Sequence, residues 1–322
     1  MIFLVILAGS VVRATGAGMG CPDWPQCFGY TIPPTDVETL TWRPEKNFDE
    51  GQMILFEDRF WVAKSDFTTG EKWSNENWEL FDRHDYLIFN PVHTWIEYIN
   101  RLIGALSGLP ILILSLVTFI GLRKNRWNAL LAALVLLLLL FEAWLGKVVV
   151  DGNLVPNQIT YHMMGSVAIV LLLLLIMARN TEGSFKFPIG IKRTLWMLLG
   201  VTVVQIFLGT QTRELVDAQL ESGIERWDVI ASIEVNLPKI HRSFAWLLLL
   251  FTSILFFQSK RAGVLIPGFK SLLFAIALEW AVGVVLYFSG LPQAMQPVHL
   301  LLSIGILSSI SYPLFLAARK VQ

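Results

Sequence analysis

Apolar residues in this 322-residue chain gather into long, nearly unbroken runs instead of recurring at helical or alternating intervals. Six runs, at 94–121, 128–150, 160–178, 194–212, 239–258 and 297–317, come close to or exceed the ~20 residues that a helix needs to cross a hydrocarbon core about 30 Å thick. A seventh, 268–290, is apolar apart from Glu279. Residues 1–12, MIFLVILAGSVV, are apolar but too short to span. They lack the basic leader and cleavage site of a signal peptide, so the true start is expected upstream, or the first helix is incomplete here. With that segment the pattern predicts an all-α membrane protein of eight transmembrane helices, both termini on one side. The pattern breaks between Arg13 and Val92, where Trp, Asp, Glu, Asn and Pro dominate and a hairpin is expected around Gln52 to Thr69. Loops this long are usually functional.

Composition agrees: 54% of residues are hydrophobic, with a mean hydropathy of +0.58, outside the range of ordinary soluble domains. Lys+Arg and Asp+Glu balance at 25 each, which gives no reason to expect a nucleic-acid partner. The distribution of charge says more. The connections at Arg123 to Arg126, Arg179 to Arg193 and Lys260 to Lys270 are basic, as is the tail with Arg319 and Lys320. By contrast, Cys21 to Val92 holds fourteen acids against six bases, and Glu214 to Leu237 six acids against Arg226. The basic connections are therefore assigned to the cytoplasmic side, or the matrix side of an organelle, and the acidic loops to the outside. Both cysteines, Cys21 and Cys27, lie in the first outside loop as CPDWPQC. On an oxidising face this spacing suggests a disulfide, with a pair of unlinked structural thiols as the alternative.

The second half of the chain repeats landmarks of the first. Glu142 and Gly146 precede His162 by twenty and sixteen residues, and Glu279 and Gly283 precede His299 by the same intervals. Gly9 stands four before Arg13, as Gly209 does before Arg213, and Ile99-Asn100-Arg101 matches Ile240-His241-Arg242. Three matches in one order argue for duplication of a four-helix unit. The expected architecture is two pseudo-symmetric four-helix bundles: 1–178, carrying the long outside loop at about 14–92, and 179–322.

Candidate chemistry follows from where polar residues enter the apolar runs. In HTWIEYINR, the residues His93, Glu97, Asn100 and Arg101 fall near one helix face, and such residues are costly in a membrane unless they serve a function. His162, His241 and His299 sit near outside helix ends, while His84 lies in the loop. A lone histidine at a helix end is ordinarily a hydrogen-bonded interfacial residue. Two on alternate helices of one bundle are how a haem iron is commonly held, and Arg242 beside His241 would suit a propionate. Zinc would want further ligands. Glu142 and Glu279 read either as proton carriers or as protonated partners of a neighbouring helix, and Gly146, Gly209 and Gly283 as close-packing positions.

The stretches GSVVRATGAGMGCPDWPQC, IEYINR, LGKVV to YHMMG, LGTQTREL, IHRSFAW and VGVV to QPVHL together resemble the haem A synthase family over nearly the whole chain outside the central first loop. This resemblance implies a C-terminal bundle holding haem b on His241 and His299, with Arg242 beside them. It also implies an N-terminal bundle receiving haem O, whose ring methyl is oxidised to a formyl group through successive hydroxylations, supplying haem A to terminal oxidases. Glu97 takes the catalytic position, with His162 on the incoming iron and Arg101 on a propionate; the alternative is a carboxylate simply neutralised by a nearby arginine such as Arg13 or Arg101. The family's cysteine pair falls on Cys21 and Cys27. One departure stands out: three residues after the glutamate the family usually has histidine and this chain has Asn100, so His162 would be the sole strong protein ligand there. His93 could substitute only if the helix entrance bends, being about 10 Å away along the axis. The expected setting is a bacterial cell membrane, ahead of a mitochondrial inner membrane, with haem O synthase or oxidase assembly proteins as candidate partners. Two other classes compete. A di-haem electron-transfer protein of cytochrome b type would want four good ligands, and three stand at repeat positions. A transporter with parallel repeats would need no iron.

Overall fold

The computed structural model describes residues 1–82, 88–121, 125–151, 157–182 and 185–318; His84, Arg123, Lys124, Arg319 and Lys320 lie outside them. In chain order the helices are α1 Ile2–Thr15, α2 Pro91–Ile120, α3 Arg126–Asp151, α4 Gln158–Asn180, α5 Ile189–Glu221, α6 Val229–Ser232, α7 Leu237–Ala262, α8 Phe269–Phe288 and α9 Met295–Ala318. Between α1 and α2 lie five short strands: β1 Asn47–Phe48, β2 Met53–Phe56, β3 Arg59–Ala63, β4 Phe67–Thr68 and β5 Trp78–Leu80. Among the described residues seven helices, α2 to α5 and α7 to α9, are long and apolar enough to cross a membrane, and α1 is a shorter apolar helix. The chain is a multi-pass membrane protein.

Two compact units are distinguished, one of Met1–Ser10, Ser107–Glu142 and Pro156–Gln322, the other of Val11–Leu106 and Ala143–Val155. In the first, α5 packs on α7 and α8 on α9, while α9 also packs against α4 and α5. Leu195 and Leu198 of α5, Leu255 of α7, Leu272 of α8 and Leu307 of α9 share one buried core. A second core joins Ile111 of α2, Ala132 and Val135 of α3, and Ile169 and Ile176 of α4. Many remaining large side chains, such as Leu109, Ile113, Phe257 and Phe274, point outward. Helices that are apolar all round suit a lipid surround, where tight packing rather than hydrophobic exclusion joins them.

Helix α5 runs past the 212 boundary expected from hydropathy. The extension carries Arg213, Glu214 and Asp217, yet Val216 is buried with Val229, Ile233 and Leu291, and Leu215 and Leu220 pack on that cluster. Hydropathy measures fitness for lipid; helix continuation needs only an apolar stripe to bury.

The outside loop in the second unit is a folded module. β2 and β3 pair antiparallel from Met53↔Val62 to Phe56↔Arg59, around Glu57 and Asp58, whose φ values of 54° and 57° give the left-handed pair a two-residue hairpin requires. β5 adds to β3 at Ala63↔Trp78, and β1 pairs with β4 in a second, two-stranded sheet. Side chains alternate along both hairpin strands. Met53 and Phe60 join Cys21, Cys27, Phe28 and Leu40 on one face, and Ile54 and Ala63 join Phe48 and Trp78 on the other. There Trp73 stacks on Phe56 with ring centroids 4.0 Å apart.

Candidate functional site

Three clusters gather the polar residues singled out in the sequence. The first forms where α2 meets the loop. Asn90 Oδ1 accepts from the amides of Val92 and His93 at 3.0 and 3.2 Å, capping α2 with Pro91 in its first turn. Thr94, Glu97 and Arg101 then follow at i, i+3 and i+7, on one face. Thr94 Oγ1 donates to Gly20 O at 2.8 Å, and Cys21 N–H donates to Glu97 Oε2 at 2.8 Å. Arg101 Nη1 donates to Asp23 O and Gln26 O at 2.6 and 2.9 Å, and Nη2 to Cys21 O at 3.1 Å and to Glu97 Oε1. Cys21 and Cys27 are joined by a disulfide with Cα atoms 4.8 Å apart.

A Cβ at Gly20 would meet the His93 and Thr94 backbone, 2.8 Å from Thr94 N, so only glycine lets the loop lie this close. Asp23 accepts from Phe28 and Gly29 N–H at 2.6 and 2.7 Å and closes the turn. Burial pushes its carboxyl above the ordinary range, against the opposing pull of those amides and of Arg101. Glu97 is buried, with one oxygen on the guanidinium and the other on an amide. Asn100 is partly buried one residue before Arg101. α2 is continuous from Pro91, so His93 stays about 10 Å along the axis from Asn100. Thr94, Gly20 and Asp23 escaped the sequence reading, although Thr94 stands three residues before Glu97 on the same face.

The second cluster pairs α3 with α4. His162 Nδ1 lies 2.6 Å from Glu142 Oε2, with the carboxylate side chain 6% exposed and the imidazole 44% exposed. A Cβ at Gly165 would fall on Glu142 Oε1, and Ser166 Oγ stands 3.5 Å from Oε2.

The third joins α5, α7, α8 and α9. The rings of His241 on α7 and His299 on α9 have centroids 6.3 Å apart with planes at 81°. Glu279 Oε2 lies 3.2 Å from His299 Nδ1, and Gln205 Nε2 donates to His241 O at 2.9 Å. The Arg242 guanidinium lies over the Tyr287 ring, its central carbon 4.7 Å from the ring centre, in a cation–π contact. Both rings lie against a helical glycine. A Cβ at Gly209 would be 3.1 Å from His241 Cε1, tighter than ordinary contact, whereas one at Gly283 would be 3.5 Å from His299 Cε1. For a haem held between the two rings, Gly209→Ala should therefore lower its content and disturb its low-spin spectrum, while Gly283→Ala leaves both near normal. Equal responses of the two variants would contradict this placement.

The His241–His299 pair fits a haem. With about 2 Å for each metal–nitrogen bond and about 1.1 Å from each nitrogen to its ring centre, two imidazoles on opposite sides of one ion stand about 6 Å apart. Among the described residues no group of three or more His, Cys, Asp or Glu is placed to hold a bare metal ion. An iron that brings four equatorial ligands with it needs only the two.

Comparison with known proteins gives a family match over residues 1–311, to the family described as cytochrome oxidase assembly protein, COX15-CtaA. A relative named Heme A synthase from Shewanella oneidensis is 31% identical over 65% of this chain and 52% of its own length. That alignment covers only about half of the Shewanella protein. Relatives of the same name from Wolbachia pipientis and Bartonella tribocorum are 25% and 22% identical, over 97% and 94% of this chain and 93% and 85% of theirs. No solved structure matches the chain.

Proposed function

The chain belongs to the COX15-CtaA family of cytochrome oxidase assembly proteins, and from that premise we propose that it carries out the haem A synthase reaction in a bacterial cell membrane, oxidising a ring methyl of haem O to a formyl group by successive hydroxylation. The observation that carries this reading is the facing pair His241 and His299, with ring centroids 6.3 Å apart on alternate helices. They hold haem b, which when bound supplies one-electron redox chemistry. Arg242, steadied on Tyr287, meets a propionate.

The N-terminal half, 1–178, receives haem O as substrate, and the C-terminal half, 179–322, keeps haem b. His162 takes the substrate's iron; Asn100, at the position that repeats as His241, is too weak a donor to rival it. One strong ligand suits a haem that must leave as product. Glu97 is the residue proposed for chemistry, moving a proton or stabilising charge beside the methyl carbon. Its orientation is fixed by the Cys21 amide and by Arg101. Arg101, offered to a propionate on sequence grounds, serves here mainly to hold Glu97 and the disulfide loop, its Nη atoms already donating to three carbonyls and the carboxylate. The test is whether haem O given to the protein in respiring membranes, whose dioxygen and electron carriers supply the oxidant, the oxygen atom and the electron exchange of a four-electron oxidation, is recovered bearing a formyl group; recovery with the methyl intact would overturn the proposal.

A further inference from the structure

Two glutamates, Glu142 buried and Glu279 partly buried, meet a histidine in the same way. Glu142 of α3 places Oε2 2.6 Å from Nδ1 of His162, and Glu279 of α8 places Oε2 3.2 Å from Nδ1 of His299. In each case the glutamate precedes the histidine by twenty residues and reaches it from the preceding helix. Both carboxylates are more buried than their partners, with side chains 6% and 15% exposed against 44% and 27% for the imidazoles. Each ring is thus backed by an acid on its Nδ1 side. The contacts are close but lack the alignment of full hydrogen bonds, and Glu142 Oε1 and both Nδ1 atoms are buried without another hydrogen-bond partner.

We propose that Glu142 and Glu279 are matched positioning residues for the iron-binding histidines of the two halves, each accepting the Nδ1 proton so that Nε2 is the bare nitrogen presented to iron. Neutral imidazole carries one N–H, and the hydrogen bond at one nitrogen decides which nitrogen is left to a metal. An acceptor behind the ring also fixes its orientation and strengthens its donation. In sequence Glu142 and His162 repeat as Glu279 and His299, whereas Ile99-Asn100-Arg101 repeats as Ile240-His241-Arg242. The closer contact belongs to His162, the histidine that would carry axial donation to the substrate iron unaided. At Gly165 the chain leaves room for Glu142 that any Cβ would occupy.

This proposal rests on His299 ligating haem b and His162 ligating haem O. Glu279→Gln keeps size and an acceptor oxygen but pulls the Nδ1 proton less strongly, and Glu279→Leu removes the acceptor. The glutamine variant should keep low-spin haem b, with the reduction equilibrium shifted about tenfold toward ferrous iron, 59 mV for a one-electron couple. Its ferric electron paramagnetic resonance should change as axial donation weakens, and the leucine variant should shift further in the same direction. Glu142→Gln should weaken haem O binding in an absorbance titration while the haem b spectrum stays unchanged. An unchanged potential and ferric resonance in Glu279→Gln would overturn the proposal, and the near-isosteric change keeps that arm readable even where the leucine variant does not accumulate. Wild-type protein that binds no haem b would instead refute the underlying reading.

Discussion

Replacing His241 or His299 with alanine should abolish the low-spin haem b signal of the purified protein, leaving at most a weakly bound high-spin remnant. On the proposed assignment each variant removes one of the two ligands, whose rings stand with centroids 6.3 Å apart. Burial supports the specificity of this effect. The α5–α7 and α8–α9 packing is formed by residues such as Leu195, Leu255, Leu272 and Leu307, which neither substitution touches, so the helices should still assemble. Reduced-minus-oxidised spectra and haem content per chain measure the effect. A bis-histidine spectrum surviving in both variants would show that the haem, where bound, sits elsewhere.

Glu97→Gln should lower haem A formation by about 10²- to 10⁴-fold, the usual contribution of a positioned acid or base. Haem b and the Cys21–Cys27 disulfide should remain. The variant also breaks an ion pair, and loss of one partner from a buried pair costs about 3–5 kcal/mol when the other charge is left stranded. Here Arg101 keeps the carbonyls of Cys21, Asp23 and Gln26, and glutamine still offers an oxygen to the Cys21 amide. The structural cost should therefore fall below that range. Loss of haem A together with loss of haem b would point to general misfolding, and near-normal haem A output would leave Glu97 as a clamp on the loop alone. Extraction of the pigments from cells expressing the variant separates these results, with haem O or a hydroxylated intermediate expected to accumulate.

Much of this was legible in the chain because lipid imposes a simple demand. Every spanning backbone must satisfy its hydrogen bonds within a helix, so long apolar runs such as 128–150 and 297–317 read directly as α3 and α9. The end of α5 was not legible, since Val216 and Leu220 are held by Val229 and Leu291, far away in sequence. In the outside loop the hairpin could be seen between Gln52 and Thr69, because two mainly apolar stretches of four and five residues flank the polar pair Glu57-Asp58. Strands of two or three residues, β1, β4 and β5, carry no readable period. The twenty-residue spacing of Glu142 to His162 and Glu279 to His299 marked both pairs, but not that carboxylate and imidazole touch. Arg101 was recognisable as a costly charge at a helix entrance; the three loop carbonyls that engage it come from residues 75 to 80 positions away.

On the proposed function, one chain keeps haem b on His241 and His299 and converts haem O to haem A. The most direct measurement is pigment analysis of the protein in respiring membranes, where dioxygen and electron carriers are present, before and after haem O is supplied, by chromatography and mass spectrometry of the extracted haems. Before addition, haem b should be present in low-spin form; after it, the haem O peak should decline as a formyl-bearing haem A peak grows, with haem b constant. Haem O recovered unaltered beside intact haem b would contradict the assigned reaction, and protein with no Soret absorbance at all would contradict the haem sites themselves.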